Sequence, residues 1–144
     1  GEWSAPCVRA ADPRGEECRG GDVLVENVTC VGGHGLAVGG VRHGTVSNVT
    51  FRNVSVAGAP GDTQGKFSPG GARLKAYPNG TGSVHSILYE DLAVDGVHTP
   101  LSLVGHYCPW PCRTPDGNHS VAFRNVTFRR VRGAGRRRTQ GLFE

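Results

Sequence analysis

A short pattern that occurs four times along the chain constrains the fold more than any other feature of the sequence. Each copy reads apolar-x-apolar-x-[Asn/Asp]-apolar-x-apolar, and the copies cover residues 23–30, 49–56, 87–94 and 121–128. Strict alternation of this kind predicts a β-strand, because successive strand residues point to opposite faces. The β-branched and aromatic residues at the apolar positions favour the same structure.

Each copy changes phase at its central Asn or Asp, which predicts a bend at that residue. The four positions are Asn27, Asn53, Asp91 and Asn125. Asn and Asp suit a bend because they tolerate left-handed backbone angles and hydrogen-bond to their own chain. A fixed unit that recurs at intervals of 26, 38 and 34 residues is typical of a solenoid with loops of variable length.

Stacking of these units predicts an all-β fold, a parallel β-helix. No segment with a helical period separates the strands, which argues against a βαβ sheet. An antiparallel β-sandwich also has short strands and turns and is the alternative. In a β-helix the residues after the four bends form one interior column, and the bend side chains can hydrogen-bond along a ladder. That column would contain Val28, Val54, Leu92 and Val126.

The two ends of the chain do not follow the repeat. We divide the sequence into an irregular lead-in (residues 1–19), a partial β-helix truncated at its N-terminal side (20–135) and a basic tail (136–144). The lack of methionine and of a signal segment predicts a processed piece or a fragment. The net charge of +4 is common among soluble proteins and also fits a polyanionic partner.

Composition and motifs narrow the class of protein. No apolar run approaches the roughly 18–20 residues of a membrane helix. The sequence also lacks an RNA-binding aromatic motif and zinc-finger spacing, so we expect neither a membrane nor nucleic acid as partner. The five cysteines include no CxxC pair, which argues against a zinc site. Together with six Asn-x-Ser/Thr sequons, they favour a secreted, extracellular protein.

A histidine between two glycines is the first candidate for a functional residue. His34 lies in the segment VGGHGLAVGG, residues 31–40. Flanking glycines let the backbone turn sharply and let a ligand approach it closely, so we expect His34 to point outward. A histidine that only caps a turn is the alternative. A phosphate-binding loop is disfavoured because its glycine spacing is incomplete and no helix follows.

Two cations follow on one predicted strand. Because alternate strand residues share a face, Arg73, Lys75 and Tyr77 should point outward together. Two cations on one face form a receptor for a carboxylate, which the planar guanidinium can bind with two hydrogen bonds. The alternative is a solvated strand face.

The segments around these residues resemble glycoside hydrolase family 28, the polygalacturonases. The family hallmark Cys-x-Gly-Gly/Ser-His-Gly-Leu/Ile-Ser-Ile/Val-Gly-Ser reads CVGGHGLAVGG over residues 30–40, with Ala37 and Gly40 in place of serines. The second hallmark, Arg-Ile-Lys, reads RLK over residues 73–75, and the resemblance covers roughly residues 22–135. It implies a right-handed parallel β-helix that hydrolyses α-1,4 bonds between galacturonates with inversion, without cofactor or metal.

The resemblance also assigns roles to single residues. His34 would belong to the catalytic centre, and Arg73, Lys75 and Tyr77 would bind a galacturonate carboxylate beside the scissile bond. Polygalacturonate, or pectin, is the implied partner. We expect the chain to act as a monomer.

The acidic residues of the family are the main departure. The chain has no Asn-Thr-Asp motif, and where the family has Asp-Asp-Cys it has Glu16, Glu17 and Cys18. The two glutamates are therefore candidates for the catalytic acids. The alternative is that they are exposed acids in a polar lead-in. We also identify no counterpart of the family's C-terminal tyrosine.

Cysteines and sequons complete the candidate residues. The resemblance implies a disulfide between Cys18 and Cys30. A second disulfide between Cys108 and Cys112 would close a short, proline-rich loop. Asn79 and Asn118 follow turn signals and are better glycan acceptors than the sequons at the predicted bends.

These observations predict a pectin-degrading glycoside hydrolase, for which exo action is one option. The first alternative is a catalytically inactive fragment that only binds pectate. The second is a structural β-solenoid without a ligand.

Overall fold

The computed structural model describes residues 19–61, 70–108, 115, 117–135 and 141–143. Regular structure in these ranges consists of strands, and none of them holds a helix able to cross a membrane. The strands are β1 (Arg19–Val31), β2 (Leu36–Val41), β3 (Thr45–Ala57), β4 (Gly70–Ala76), β5 (Ser83–Val97), β6 (Thr99–Val104), β7 (Ala122–Arg129), β8 (Arg132–Gly135) and β9 (Gly141–Phe143).

The strands form two parallel sheets that the chain visits in turn. The long-strand sheet has the order β1-β3-β5-β7, with β8 also pairing with β5. The short-strand sheet has the order β2-β4-β6-β9. Every pairing is parallel, so each turn of the chain stacks on the preceding one. The fold is the predicted parallel β-helix, and the antiparallel sandwich is excluded.

The strands β1, β3 and β5 each bend at two positions, and the chain bends at the same two positions within and directly after β7, whereas the sequence predicted one bend in each repeat. The first column of left-handed residues contains Asp22, Asn48, Ser86 and Asn125, and the second, five residues further on, contains Asn27, Asn53, Asp91 and Arg130. Burial alternates along β3 and slips at both bends. The chain therefore wraps around the interior while it keeps apolar side chains inside.

Hydrogen bonds join the bend residues of neighbouring turns. The Asn53 side-chain amide donates to Asn27 Oδ1 at 2.7 Å, which confirms the ladder expected there. In the other column, Asn48 donates to Asp22 Oδ1 at 2.6 Å. Such bonds hold successive bends in register, since each side chain reaches only its neighbour in the stack.

The predicted register of the last repeat is wrong by one bend. Val28, Val54 and Leu92 stack in one interior column as expected. Val126, however, pairs with Ile87, and Asn125 donates to Ser86 Oγ at 3.5 Å. The reason is that an Asn-Val-Thr or Asn-Val-Ser triplet begins at a bend residue in either column, as at Asn48 and Asn53, so a single copy of this triplet fits both.

An aromatic stack fills the interior of the long-strand sheet. The Tyr89 ring lies between Phe51 and Phe128, with ring centroids 4.7 and 5.2 Å away. Tyr89 is fully buried, and burial raises the pKa of its hydroxyl well above the usual value, although a hydrogen bond from the Arg73 backbone opposes the shift. The same hydroxyl donates to the Leu36 carbonyl at 3.2 Å. Tyr89 thus connects the long-strand sheet to β2 and β4.

A ladder of alternating charges covers the outer face of the long-strand sheet; we call it the charge ladder. Its register is Glu26, Arg52, Glu90 and Arg129 in successive turns. The ion pairs measure 3.5 Å from Arg52 to Glu26, 3.2 Å from Arg52 to Glu90 and 2.6 Å from Arg129 to Glu90. No local pattern in the sequence predicts this feature, because it depends on the register between turns.

Arg130 ends the second bend column and joins it to the charge ladder. Its guanidinium contacts Asp91 Oδ1 at 2.6 Å and Glu90 Oε1 at 2.7 Å. Burial alone would raise the pKa of Glu90, but hydrogen bonds from Arg130 and Arg52 and the Arg129 charge lower it below its ordinary 4.5. The Arg130 hydrogen bonds likewise lower the pKa of Asp91.

The chain continues the β-helix beyond the boundary that we placed at residue 135. β9 pairs with β6 within the segment 136–144 that we described as a basic tail. At the other end, β1 begins at Arg19, and the rest of the lead-in lies outside the described residues.

Candidate functional site

The Gly-His-Gly segment forms an exposed turn between β1 and β2. His34 is exposed in this turn, as the sequence predicted. Gly35 has φ of 73°, and a Cβ there would overlap the carbonyl oxygens of Gly70 and Gly71 in the next turn. A glycine is needed at this position for both reasons.

Arg73 and Lys75 lie on the outer face of β4. Their neighbours Ala72, Leu74 and Ala76 are completely buried in the core, as strand alternation requires. Lys75 is only 2% exposed, although it does not point into that core. Lys75 is therefore not a simply solvated cation, and Arg73 is half-buried.

A tyrosine that the sequence analysis missed covers both cations. Lys75 Nζ lies 4.7 Å and Arg73 Cζ 5.3 Å from the centroid of the Tyr107 ring. The Tyr107 amide donates to the Ala76 carbonyl at 2.7 Å, which continues the ladder beyond the strand ends. The signal for Tyr107 is positional, since this residue lies after β6 as Tyr77 lies after β4.

Tyr77 extends the same surface toward β2. Its ring centroid is 5.8 Å from that of Tyr107 and 4.8 Å from Arg42 Cζ. Tyr77 itself is half-buried and Arg42 is exposed. We call Arg42, Arg73, Lys75, Tyr77 and Tyr107 the basic–aromatic cluster.

The His34 turn lies next to Arg73. A Cβ built on Gly70 would be 3.8 Å from both the His34 carbonyl oxygen and Arg73 Cδ. Beneath them, the buried Tyr89 hydroxyl hydrogen-bonds to the Leu36 carbonyl and to the Arg73 backbone. One core residue therefore anchors the backbone of both parts of the site.

This arrangement can bind an anion next to an apolar surface. Arg73 supplies a planar donor group, Lys75 a second positive charge, and the tyrosine rings a flat face. Within the described ranges, no group of three or more His, Cys, Asp or Glu side chains could hold a metal ion. The candidate acids Glu16 and Glu17 lie outside those ranges.

The cysteines require one correction. Cys30 is a free thiol, so the structure does not contain the implied Cys18–Cys30 disulfide. Its side chain packs against the core, at the far end of β1 from Arg19, the residue after Cys18. Cys18 itself lies outside the described residues. Cys108 is disulfide-bonded, and its predicted partner Cys112 also lies outside them.

The two preferred sequons are accessible. Asn79 and Asn118 are exposed and lie between strands, whereas Asn53 is engaged in the bend ladder. Glycan occupancy at these sites stays a prediction.

Comparison with known proteins agrees with the family resemblance of the sequence. Residues 15–142 match the family described as Glycosyl hydrolases family 28. A polygalacturonase of Brassica napus is 29% identical over 118 residues, which cover 78% of this chain and 28% of the relative. The exopolygalacturonase rpg15 of Rhizopus delemar is 32% identical over 118 residues, 77% of this chain and 28% of the relative. Endopolygalacturonase D of Aspergillus niger is 30% identical over 117 residues, 79% of this chain and 22% of the relative. The chain thus spans less than a third of the length of these relatives.

Proposed function

This chain belongs to glycosyl hydrolases family 28, and from that premise we propose that it forms the substrate-binding part of a pectin-degrading glycosidase. The single observation that supports this most is the position of Arg73 and Lys75. They lie side by side on the outer face of β4, both on the Tyr107 ring and next to the exposed His34 turn. The proposed ligand is a galacturonate of polygalacturonate.

The chemistry of the cluster suits an acidic sugar. Charge-assisted hydrogen bonds from a guanidinium to a carboxylate are about twice as strong as neutral ones. Lys75 is nearly buried, so its attraction to a bound carboxylate is less screened by water than that of a surface lysine. The apolar face of a sugar ring can pack on a tyrosine, which would orient the carboxylate toward the cations.

For the whole protein we infer hydrolysis of α-1,4-galacturonosyl bonds with inversion. An inverting glycosidase needs two carboxyl groups roughly 6.5–9.5 Å apart, one to protonate the leaving oxygen and one to activate water. His34 would contribute to the centre beside Arg73, and Glu16 and Glu17 are the candidates for the acids. The relatives include both an exopolygalacturonase and an endopolygalacturonase, so either mode of attack fits.

A second candidate function is pectate binding without hydrolysis. The sequence favours it because the basic–aromatic cluster is present while the Asn-Thr-Asp motif is absent. Loss of one general acid or base typically costs on the order of 10²–10⁴-fold in rate. We therefore expect this 144-residue chain to bind pectate and to hydrolyse it at or near the background rate. A secreted, monomeric protein is part of the same proposal.

Two assays on the purified chain test these functions separately. Retention on immobilised polygalacturonate, with a neutral galactan as control, tests binding. Release of reducing ends from soluble polygalacturonate tests hydrolysis, with Glu17→Gln as the variant that removes the candidate acid. Retention without hydrolysis is the expected result. Turnover that Glu17→Gln abolishes would establish Glu17 as a catalytic acid, and a lack of retention would leave only a structural role.

A further inference from the structure

A third cation, which the resemblance does not point to, lies at the end of the short-strand sheet. Arg42 directly follows β2, is exposed, and has its guanidinium carbon 4.8 Å from the Tyr77 ring centroid. Arginine commonly packs the flat face of its guanidinium on an aromatic ring. The N–H groups lie in the plane of the guanidinium, so a stacked arginine can still donate to a carboxylate.

Backbone hydrogen bonds fix the turn that carries Arg42. The Tyr77 amide donates to the Val41 carbonyl at 2.8 Å, and the Thr81 amide donates to the Arg42 carbonyl at 2.7 Å. The Thr81 hydroxyl and His43 Nδ1 are hydrogen-bonded at 2.9 Å. The turn after β2 is therefore tied to the turn after β4, which holds Arg42 and Tyr77 together.

A glycine makes room for the Tyr77 ring. A Cβ built on Gly40 would lie 2.6 Å from Tyr77 Cε2, closer than real Cβ contacts allow. The position carries serine in the family hallmark, so the placement of this ring depends on a residue at which the chain departs from the hallmark. A serine there would displace the ring without removing it.

We propose that Arg42 and Tyr77 form a second subsite, which binds the carboxylate and ring of a neighbouring galacturonate in the same polymer. This inference rests on the proposed function, in which Arg73 and Lys75 bind the first acidic sugar. Tyr77 and Tyr107 are 5.8 Å apart, so the aromatic surface is continuous between the two subsites. The site then distinguishes an oligomer with consecutive free carboxylates from a single sugar acid.

Titration of the full 144-residue chain with galacturonic acid and with trigalacturonic acid, followed by NMR, tests the second subsite. Arg42→Gln should weaken trimer binding about three- to tenfold and leave monomer binding within about twofold, as expected for a partly exposed ion pair. Gly40→Ser, which keeps Arg42, should weaken trimer binding in the same selective way. Arg73→Gln should weaken binding of both ligands. Arg124→Gln, an exposed arginine on the other sheet, is the matched control and should change neither.

Each result bears on one of the two proposals. Unchanged trimer binding in both Arg42→Gln and Gly40→Ser, with a loss in Arg73→Gln, would overturn the second subsite and leave the proposed function intact. Equal weakening of monomer and trimer in Arg42→Gln would show one shared subsite and would also overturn the inference. Failure of the unmodified chain to bind either ligand would overturn both. Unfolding curves for all variants verify that each is folded.

Discussion

The outer faces of the two sheets carry charge in opposite ways. On the long-strand sheet, Glu26, Arg52, Glu90 and Arg129 alternate in sign, and each contacts its neighbour in the next turn. On the short-strand sheet, Arg73 and Lys75 share one strand face and lie on the same tyrosine ring. Alternating charges satisfy one another and hold the stack in register. Adjacent like charges repel, so a bound anion would stabilise them, and this contrast supports our proposal that the short-strand sheet binds the ligand.

The largest effect on stability is expected from a substitution in the turn that carries His34. Gly35→Ala combines a left-handed backbone with overlap of the Gly70 and Gly71 carbonyl oxygens, so the free energy of unfolding should fall by about 3 kcal/mol or more. Gly33→Ala is the matched control, because its φ of 69° is similar and a Cβ there meets nothing within 4 Å. It should cost only about 1–2 kcal/mol. Denaturant unfolding measures both, and equal losses would contradict the role of close packing.

A smaller loss of stability is expected from a substitution that weakens the connection between the two sheets. Tyr89→Phe keeps the aromatic stack but removes the hydroxyl that donates to the Leu36 carbonyl. The unfolding free energy should fall by about 1–3 kcal/mol, because the buried carbonyl loses its partner. Tyr107→Phe, on the outer face, is the control and should change stability by less than about 0.5 kcal/mol. Similar values for the two variants would argue against this anchor.

Glu90 of the charge ladder and Asp91, the partner of Arg130, should make stability depend on acid. The pKa values of Glu90 and Asp91 in the folded chain lie below their ordinary 4.5 and 3.8. A lowered carboxyl pKa stabilises the fold above the unfolded value, and the contribution is lost as the pH falls through the folded value. The free energy of unfolding should therefore decrease below about pH 4.5.

Variants assign that decrease to Glu90 and Asp91. The double variant Glu90→Gln/Asp91→Asn lacks both shifted carboxyls and should show a flatter dependence on pH. Glu26→Gln, at the more exposed end, retains both and should keep the decrease of the unmodified chain. A double variant as acid-sensitive as the unmodified chain would show that the effect arises elsewhere.

The least disruptive test concerns glycans. In a eukaryotic secretory host, Asn79 and Asn118 should be occupied and Asn53 bare, because the Asn53 amide is engaged with Asn27 in the ladder. Ser120→Ala removes the sequon at Asn118 and should remove one glycan mass without loss of stability. Glycopeptide mapping measures the glycan occupancy of each asparagine. An occupied Asn53 together with an unoccupied Asn79 would reverse the assignment.

The features that the sequence predicted well are those with local patterns. Val28, Val54 and Leu92 alternate with polar residues, so their strand face and their common column follow from period and bend. Val126 was misplaced because an Asn-Val-Thr triplet begins at a bend in both columns, at Asn48 in the first and Asn27 in the second. Comparison of longer segments would have corrected this, since residues 48–51 and 125–128 both read NVTF and occupy the same column.

Contacts between residues on different turns could not be predicted from local sequence patterns. Tyr107 covers Arg73 and Lys75 because β6 stacks on β4, which depends on the length of the intervening loop. The pairing of Arg52 with Glu90 likewise requires the exact register between turns. Cys30 follows an inward-facing pattern in its strand, and a disulfide inferred from resemblance alone did not take account of it.

The affinity of the chain for polygalacturonate tests the contrast between the two faces most directly. Arg73→Gln and Arg124→Gln each remove one positive charge, the first from the basic–aromatic cluster and the second from an exposed position on the long-strand sheet. We predict that Arg73→Gln weakens binding about tenfold, equivalent to ~1.4 kcal/mol, and that added salt weakens the remaining affinity. Arg124→Gln should stay within about twofold of the unmodified chain. Equal effects of the two variants would mean that only net charge attracts the polymer, and would contradict a built site on the short-strand sheet.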